Sequence, residues 1–376
     1  MLTLVAITNE CVTIFPYHMV TLTEHESELI DQLLAVLEES IEELPSVDLE
    51  FANKVKVQKL LFFAIDEYDL PVTYSWYLAG AVVPNREIGP QSLQGPQNEP
   101  TGPTDPSLSS QAIDDSSTDS SDSSDSAEID PIMFSQTEPQ QSEPQSYDLT
   151  EYVSHDELDR FFRQKVPEVW QDKTMRFLQN FYQAKAPEQY RLLYIESTHI
   201  RTHLQELRDV LEKYVDGETT DADIGAIRES IELSISDLHY YLRQNEGLKE
   251  TFEIVVEGTD LIEDAMMCLD NMEPSAYTQK HVTAVESLKE FFFYYIWKYP
   301  CLLISQITAT GPQAEALRQR RRQTYETFDE NVLEERSKLS DELSSLNLVP
   351  SYDDYQDIDD KQLAETLNDL STEYLE

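Results

Sequence analysis

The chain has 376 residues, with 73 Asp and Glu against 27 Lys and Arg and a formal net charge of −46. That balance argues against nonspecific nucleic-acid binding, which draws its affinity from cations on phosphates, while 40% hydrophobic and 10% aromatic residues exclude a wholly disordered chain. A folded protein so charged repels itself in dilute buffer and is relieved where the screening length falls to roughly 3 Å in molar salt, so a halophile, archaeal-type cytoplasm is the expected habitat. The length admits two domains.

Residues 1–18, MLTLVAITNECVTIFPYH, hold one acid and no base. They read either as a short β-branched strand on the first domain or as sequence ahead of a start at Met19, and they lack the basic start and small-residue cleavage site of a signal peptide. Thr23-x-x-Glu26 is a capping box and opens a helix. Leu29, Ile30, Leu33, Leu37, Ile41 and Leu44 recur at three and four along it, and Pro45 stops it. A second helix is expected from Ser46 or Asp48, with Val57, Leu60, Leu61, Ala64, Ile65 and Tyr68 on its apolar side and Pro71 as its end. VTYSWY (72–77) alternates aromatic and β-branched residues and predicts a short strand or extended segment.

From residue 88 to about 149 the composition turns to Pro, Ser, Gln, Gly and Asp, with no Lys or Arg between Arg86 and Arg160. Such a stretch cannot bury enough apolar surface to offset its ordering entropy, and a disordered acidic linker is expected. PIMF (131–134) within it is either a docking motif or a chance apolar spot, and the Ser/Asp run either a phosphorylation site or solvation.

After the linker a helical period predicts helices over about 154–165, 167–185, 187–215, 221–244, 248–271, 274–299 and 312–346, with a short last one at about 360–375. Pro167, Pro187, Pro274 and Pro312 sit where first turns are expected, and Gly217, Gly247 and Gly311 just past ends. Short connections between long helices make antiparallel neighbours, so a bundle is expected. The fold class is therefore mainly α: a small N-terminal helical module with a short extended segment (1–87), the linker (88–149), an all-α bundle (150–349) and an acidic tail with a short helix (350–376). FFFYYIWKYPCLLISQI (291–307) is the most apolar run, but Lys298 and Pro300 interrupt it and it is too short to span a bilayer. It reads as a buried helix ending near Tyr299.

Two constellations bear on chemistry. Glu196, His199, His203 and Glu206 share one helix face, and Glu196-x-x-His199 has the spacing used in di-iron bundles. No second Glu-x-x-His occurs to complete such a site, and a solvated face is the competing reading, so Glu196, His199 and His203 stand as a weak metal candidate. RQRRR (318–322) is the one dense basic run. Arg318, Arg320, Arg321 and Arg322 either clamp phosphates or an acidic segment, this chain's linker included, or form a helix face balanced by Glu315 and Glu326. Scattered glycines allow neither GxGxxG nor a P-loop, and HExxH and GxSxG are missing, so no cofactor is implied. Cys11, Cys268 and Cys301 are odd in number, with no CxxC pair, which suits a reducing compartment.

VKVQKLLFFA (55–64) and WYLAGAVVP (76–84) together resemble the signature of the SocA-like (Panacea) antitoxin domain, a KLQKLLYYA helix followed by a W-x-x-G-P-V-V-P segment. Lys56, Gln58, Lys59, Leu60, Leu61 and Ala64 match its first half, and Trp76, Gly80, Val82, Val83 and Pro84 its second. Ala81 departs, standing where the family usually has proline, and the match covers only about residues 46–86. The resemblance implies a compact helical module that binds another protein, in the family commonly a toxin. Lys56, Lys59, Trp76 and Tyr77 are the expected partner-binding residues of this region, the two lysines meeting acids of the preceding helix or of the partner, and the arginines of 318–322 are expected to serve likewise. A non-catalytic, cytoplasmic regulatory protein with a protein partner (a toxin or other effector) is the expected function. The alternatives are a transcription regulator reading DNA with the front module, for which Lys54, Lys56, Lys59 and Arg86 are the basic residues at hand, and a metal-dependent helical-bundle enzyme.

Overall fold

The computed structural model describes residues 22–44, 53–83, 148–218, 220 and 222–350. The expectations for the N-terminal segment, Pro45, Arg86, nearly all of the linker with its PIMF motif, and the last helix fall outside the described residues. Within them the protein is mainly α. The elements run α1 (Glu24–Glu42), α2 (Lys54–Glu67), β1 (Ser75–Tyr77), β2 (Gly80–Val82), α3 (His155–Trp170), α4 (Thr174–Lys185), α5 (Arg191–Val215), α6 (Ile224–Gln244), α7 (Phe252–Asp270), α8 (Gln279–Phe291), α9 (Lys298–Thr308), α10 (Ala314–Tyr325) and α11 (Phe328–Ser345).

The capping box at Thr23 forms in both directions: Glu26 N–H donates to Thr23 Oγ1 at 3.1 Å, and Thr23 N–H donates to Glu26 Oε2 at 2.8 Å. A second such box, Ser154 with Glu157, starts α3. α5 packs along α4, α6 and α8; α6 packs on α7; α11 lies over α7 and α8. The extended segment at 72–77 is half of an antiparallel hairpin, with Ser75 opposite Val82, Trp76 opposite Ala81 and Tyr77 opposite Gly80.

Several expected boundaries moved, each for a packing reason. Pro167 does not begin a helix but lies inside α3, which continues to Trp170 because Val166, Val169 and Trp170 are all buried. Pro300 does not end one either. It is the third residue of α9, in the first turn, where its missing N–H needs no intrahelical acceptor. The break falls upstream, in a π-helical turn over Phe292–Ile296. Its added residue shifts the phase of the aromatic run, so that Phe292, Ile296 and Trp297 all reach the core while Tyr294 faces solvent. The single helix expected over 312–346 is two, parted at Glu326 and Thr327, which lets Phe328 turn inward.

Buried side chains on both sides of residues 84–147, from Leu29 through Trp76 to Leu348, form one hydrophobic cluster. α1 and α2 lie on α3, and β1 lies on α9. The seam is tight at Gly311, whose φ is +99°, and a Cβ there would stand 2.5 Å from Thr73 Cα and 2.8 Å from Val72 O. Gly217, φ +74°, has nothing within 4 Å of the same atom. Gly217→Ala should therefore cost only backbone strain, about 1–2 kcal/mol. Gly311→Ala adds a clash with main chain and should cost about 2–4 kcal/mol. Equilibrium unfolding of the two variants reads the difference, and equal losses would mean the seam is looser than described.

Candidate functional site

A hairpin enclosed by helices has outward backbone groups with no neighbouring strand to meet them, and each costs free energy if left unpaired. Side chains from four directions meet them here. The buried carboxylate of Glu26 accepts the Thr73 N–H at 2.8 Å. Trp76 N–H donates to Thr308 Oγ1 at 2.9 Å. Lys59 Nζ donates to Ala81 O at 2.8 Å, Tyr194 OH to Tyr77 O at 2.8 Å and Trp297 Nε1 to Leu78 O at 3.0 Å. Tyr74 exchanges two backbone bonds with Thr310 at 3.1 and 3.0 Å, and Thr73 Oγ1 accepts the Gln313 N–H at 2.8 Å.

This arrangement corrects the expectation for the two lysines. Lys56 and Lys59 are 0% exposed, and each ammonium donates to a backbone carbonyl of this chain. Lys56 Nζ donates to Asp172 O, and its ammonium lies 5.8 Å from the Phe177 ring. Lys59 Nζ lies 5.5 Å from the Phe181 ring. Burial pushes Lys59 down to about 7, and Lys56 to about 8 despite the nearby Asp172 carboxylate. Trp76 is also interior, 4% exposed, stacked on Phe181 at 5.5 Å and edge-on to Phe62 at 5.9 Å. None of the three offers a surface to a partner.

Tyr77 and the arginine run do come together. Arg321 lies over the Tyr77 ring with its Cζ 3.8 Å from the centroid, and its Nε donates to Ser305 Oγ at 3.0 Å. Ser305 in turn pairs with Ser75 at 2.7 Å. Arg320 also acts electrostatically on the Tyr77 phenol, which burial nonetheless pushes up to about 12. Lys298, half-buried, stands 4.6 Å from the Phe328 ring, and burial together with Arg321 lowers it to about 8. Arg318 is turned away, its Nη2 donating to Ala309 O at 2.7 Å and its Nη1 to Glu315 at 3.2 Å. Arg322 is exposed. Sequence reasoning found the arginines but took Lys298 only as an interruption of an apolar run, and that interruption was its signal. Glu26 was legible as a cap; nothing in the sequence told of its second bond to the hairpin.

The weak metal candidate is divided into local pairs. His199 Nδ1 is 3.1 Å from Glu196, which raises its affinity for a proton. His203 Nδ1 lies 3.5 Å from Glu206, near enough to attract a protonated ring but not aligned for a hydrogen bond. Among the described residues no three His, Cys, Asp or Glu side chains are gathered so as to hold a metal ion. Cys301 is buried and its thiol pushed well up, and Cys268 is half-buried.

Lys59 gives a pH signature. Between pH 7 and about 9.5 the unfolded chain holds a proton on this lysine that the folded chain does not, so folding stability should rise with pH, by ~1.4 kcal/mol per unit from this group. Below pH 7 the penalty of the buried charge is present in full. Lys59→Met should flatten that slope, which denaturant unfolding at several pH values measures; an unchanged slope would mean the ammonium is better solvated than its burial implies.

Among the described residues no helix is long and apolar enough to cross a membrane. No curated protein and no solved structure matches the chain. One family model does, over residues 19–376, nearly the whole length, and the chain belongs to that family, described as a domain of unknown function (DUF8098).

Proposed function

We propose that the chain is a non-catalytic, protein-binding regulator of the SocA-like antitoxin type, acting in the cytoplasm of a salt-rich cell. The observation that carries this reading is that the two halves of the signature meet in space as one unit. Lys59 of the KLLFFA helix holds Ala81 of the hairpin, Phe62 packs edge-on to Trp76, and Gly80, φ +90°, admits Tyr182 to within 2.9 Å of where a Cβ would stand. Residues at matching positions are thereby given a common task, which a chance likeness of two short strings would not require.

The departure at Ala81 is mild on the same geometry. Trp76 and Ala81 face each other with backbone groups turned outward, as the bonds from Trp76 N–H to Thr308 and from Lys59 to Ala81 O record. An N–H at position 81 takes no part in the ladder, so proline and alanine serve it alike. The signature lysines support the hairpin, so a partner is met elsewhere, on surface that carries the net charge of −46. A DNA-reading front segment is less well supported: of its four basic residues Lys56 and Lys59 are enclosed, Lys54 is exposed, and Arg86 lies outside the described residues.

The test is to purify the tagged full chain from its native host in molar KCl and to identify what co-elutes in stoichiometric amount. The expected result is one protein that arrests growth when expressed alone, with growth restored when this chain is expressed beside it. A chain that elutes alone, or a companion without effect on growth, overturns the antitoxin reading.

A further inference from the structure

We propose that Arg321, fixed over Tyr77 where the hairpin meets α9 and α10, forms a binding site for a phosphate group together with Arg320 of the same helix and Lys298 of α9. The proposal goes beyond the partner-binding reading and stands without it.

Three observations carry the site. First, Lys298 and Arg321 stand apart from the cations that this chain pairs: Arg163, Arg208, Lys289 and Lys338, for example, each lie within 4 Å of at least one carboxylate. With 73 acids available, no described carboxylate forms such a pair with Lys298 or Arg321. Arg321 acts on Lys298 as a like charge in a half-buried setting, where such charges repel each other and lose hydration, and a bound anion offsets both costs.

Second, Arg321 is held as a fixture. Its Cζ lies over the Tyr77 ring, 3.8 Å from the centroid, and its Nε is tied to Ser305, which is itself tied to Ser75 across the seam. Its two terminal nitrogens have no hydrogen-bond partner among the described residues, and neither is sealed from solvent. A guanidinium fixed through its Nε presents a planar fork at no further entropic cost, the geometry that takes two oxygens of one oxyanion.

Third, Lys298 and Arg320 add charge around that fork. Lys298 comes from the first turn of α9 and is braced by Phe328 at 4.6 Å, and Arg320 acts on the same phenol as Arg321. A dianion suits three cations better than a carboxylate does. It also has to enter against the field of a molecule at −46, so retention there requires local charge of this density.

The experiment uses the full chain at fixed ionic strength in KCl. Inorganic phosphate, pyrophosphate and O-phosphoserine are each titrated while the thermal midpoint is followed, with dissociation constants from equilibrium dialysis. Wild type is compared with Lys298→Met and with Arg320→Gln, neither of which breaks the Arg321–Ser305 bond. The expected result is a saturable rise in wild type with at least one probe, and an affinity at least tenfold weaker in both variants. A response to the free anions alone assigns a small phosphate ligand, and one to O-phosphoserine assigns a phosphate ester. No rise beyond the KCl control, or the same rise in wild type and variants, overturns the site.

Discussion

A two-stranded hairpin set inside a helical protein is the constraint on which the rest of this structure turns. Three-residue strands cannot stand by themselves, and enclosing them removes the water that would otherwise meet their backbone. The protein meets the need with one side chain at a time: a carboxylate from α1, an ammonium from α2, a phenol from α5, an indole from the residue before α9 and a hydroxyl from the end of α9. The five bonds join the hairpin to four helices, α1, α2, α5 and α9, so the hairpin is where those helices are pinned to one another. Its removal would take the hairpin carbonyls away from the buried Lys59, Tyr194 and Trp297 donors at once, each loss worth roughly 1–3 kcal/mol. Residues 22–83 and 148–350 consequently share one core.

The choice of lysine at 59 follows from reach and from its surroundings. Ala81 O is approached from a helix whose adjacent residues, Leu60, Leu61 and Phe62, are all core. A four-methylene stem extends through that layer as an apolar chain and delivers a donor at its tip. Among the described residues no carboxylate is found to offset the ammonium's burial, which lowers its proton affinity until the neutral amine is within reach near neutrality. As an amine it still donates to a carbonyl, and the charge need not be buried. Arginine would not allow this, because its guanidinium keeps its proton.

The helical plan was legible because periodicity reports burial, and burial is what the long helices achieve. α1, α5, α6 and α7 lie close to their expected spans. What failed was punctuation. Proline was read as a terminator at 300, whereas position within the turn decides its effect, and the true interruption, a π turn at 292–296, has no residue signature of its own. The same limit governed the candidate site. Lys56, Lys59 and Trp76 stood out as a pattern, yet a pattern does not say on which side of the surface it lies. An amphipathic helix was assumed to turn its lysines outward, and tertiary packing of α4, through Phe177 and Phe181, covered them instead. Arg321 was named with Arg318, Arg320 and Arg322 as one basic run, whereas its neighbours in space, Ser305, Ser75 and Lys298, come from segments the sequence gives no reason to join.

Charge is thus divided by depth. Acids dominate the composition, while several of the cations are withdrawn: two lysines into the core and Lys298 and Arg321 into the seam. Added salt acts on these two populations differently. Repulsion among surface carboxylates decays as the screening length shortens, from about 10 Å at 0.1 M to about 3 Å at 1 M. The cost of Lys59 does not decay, since no ion reaches a side chain without exposed surface. Salt can therefore remove the penalty of a −46 exterior but leaves the interior terms as they are. The stability approached at high salt is the one fixed by the core and by how completely the hairpin's backbone is met.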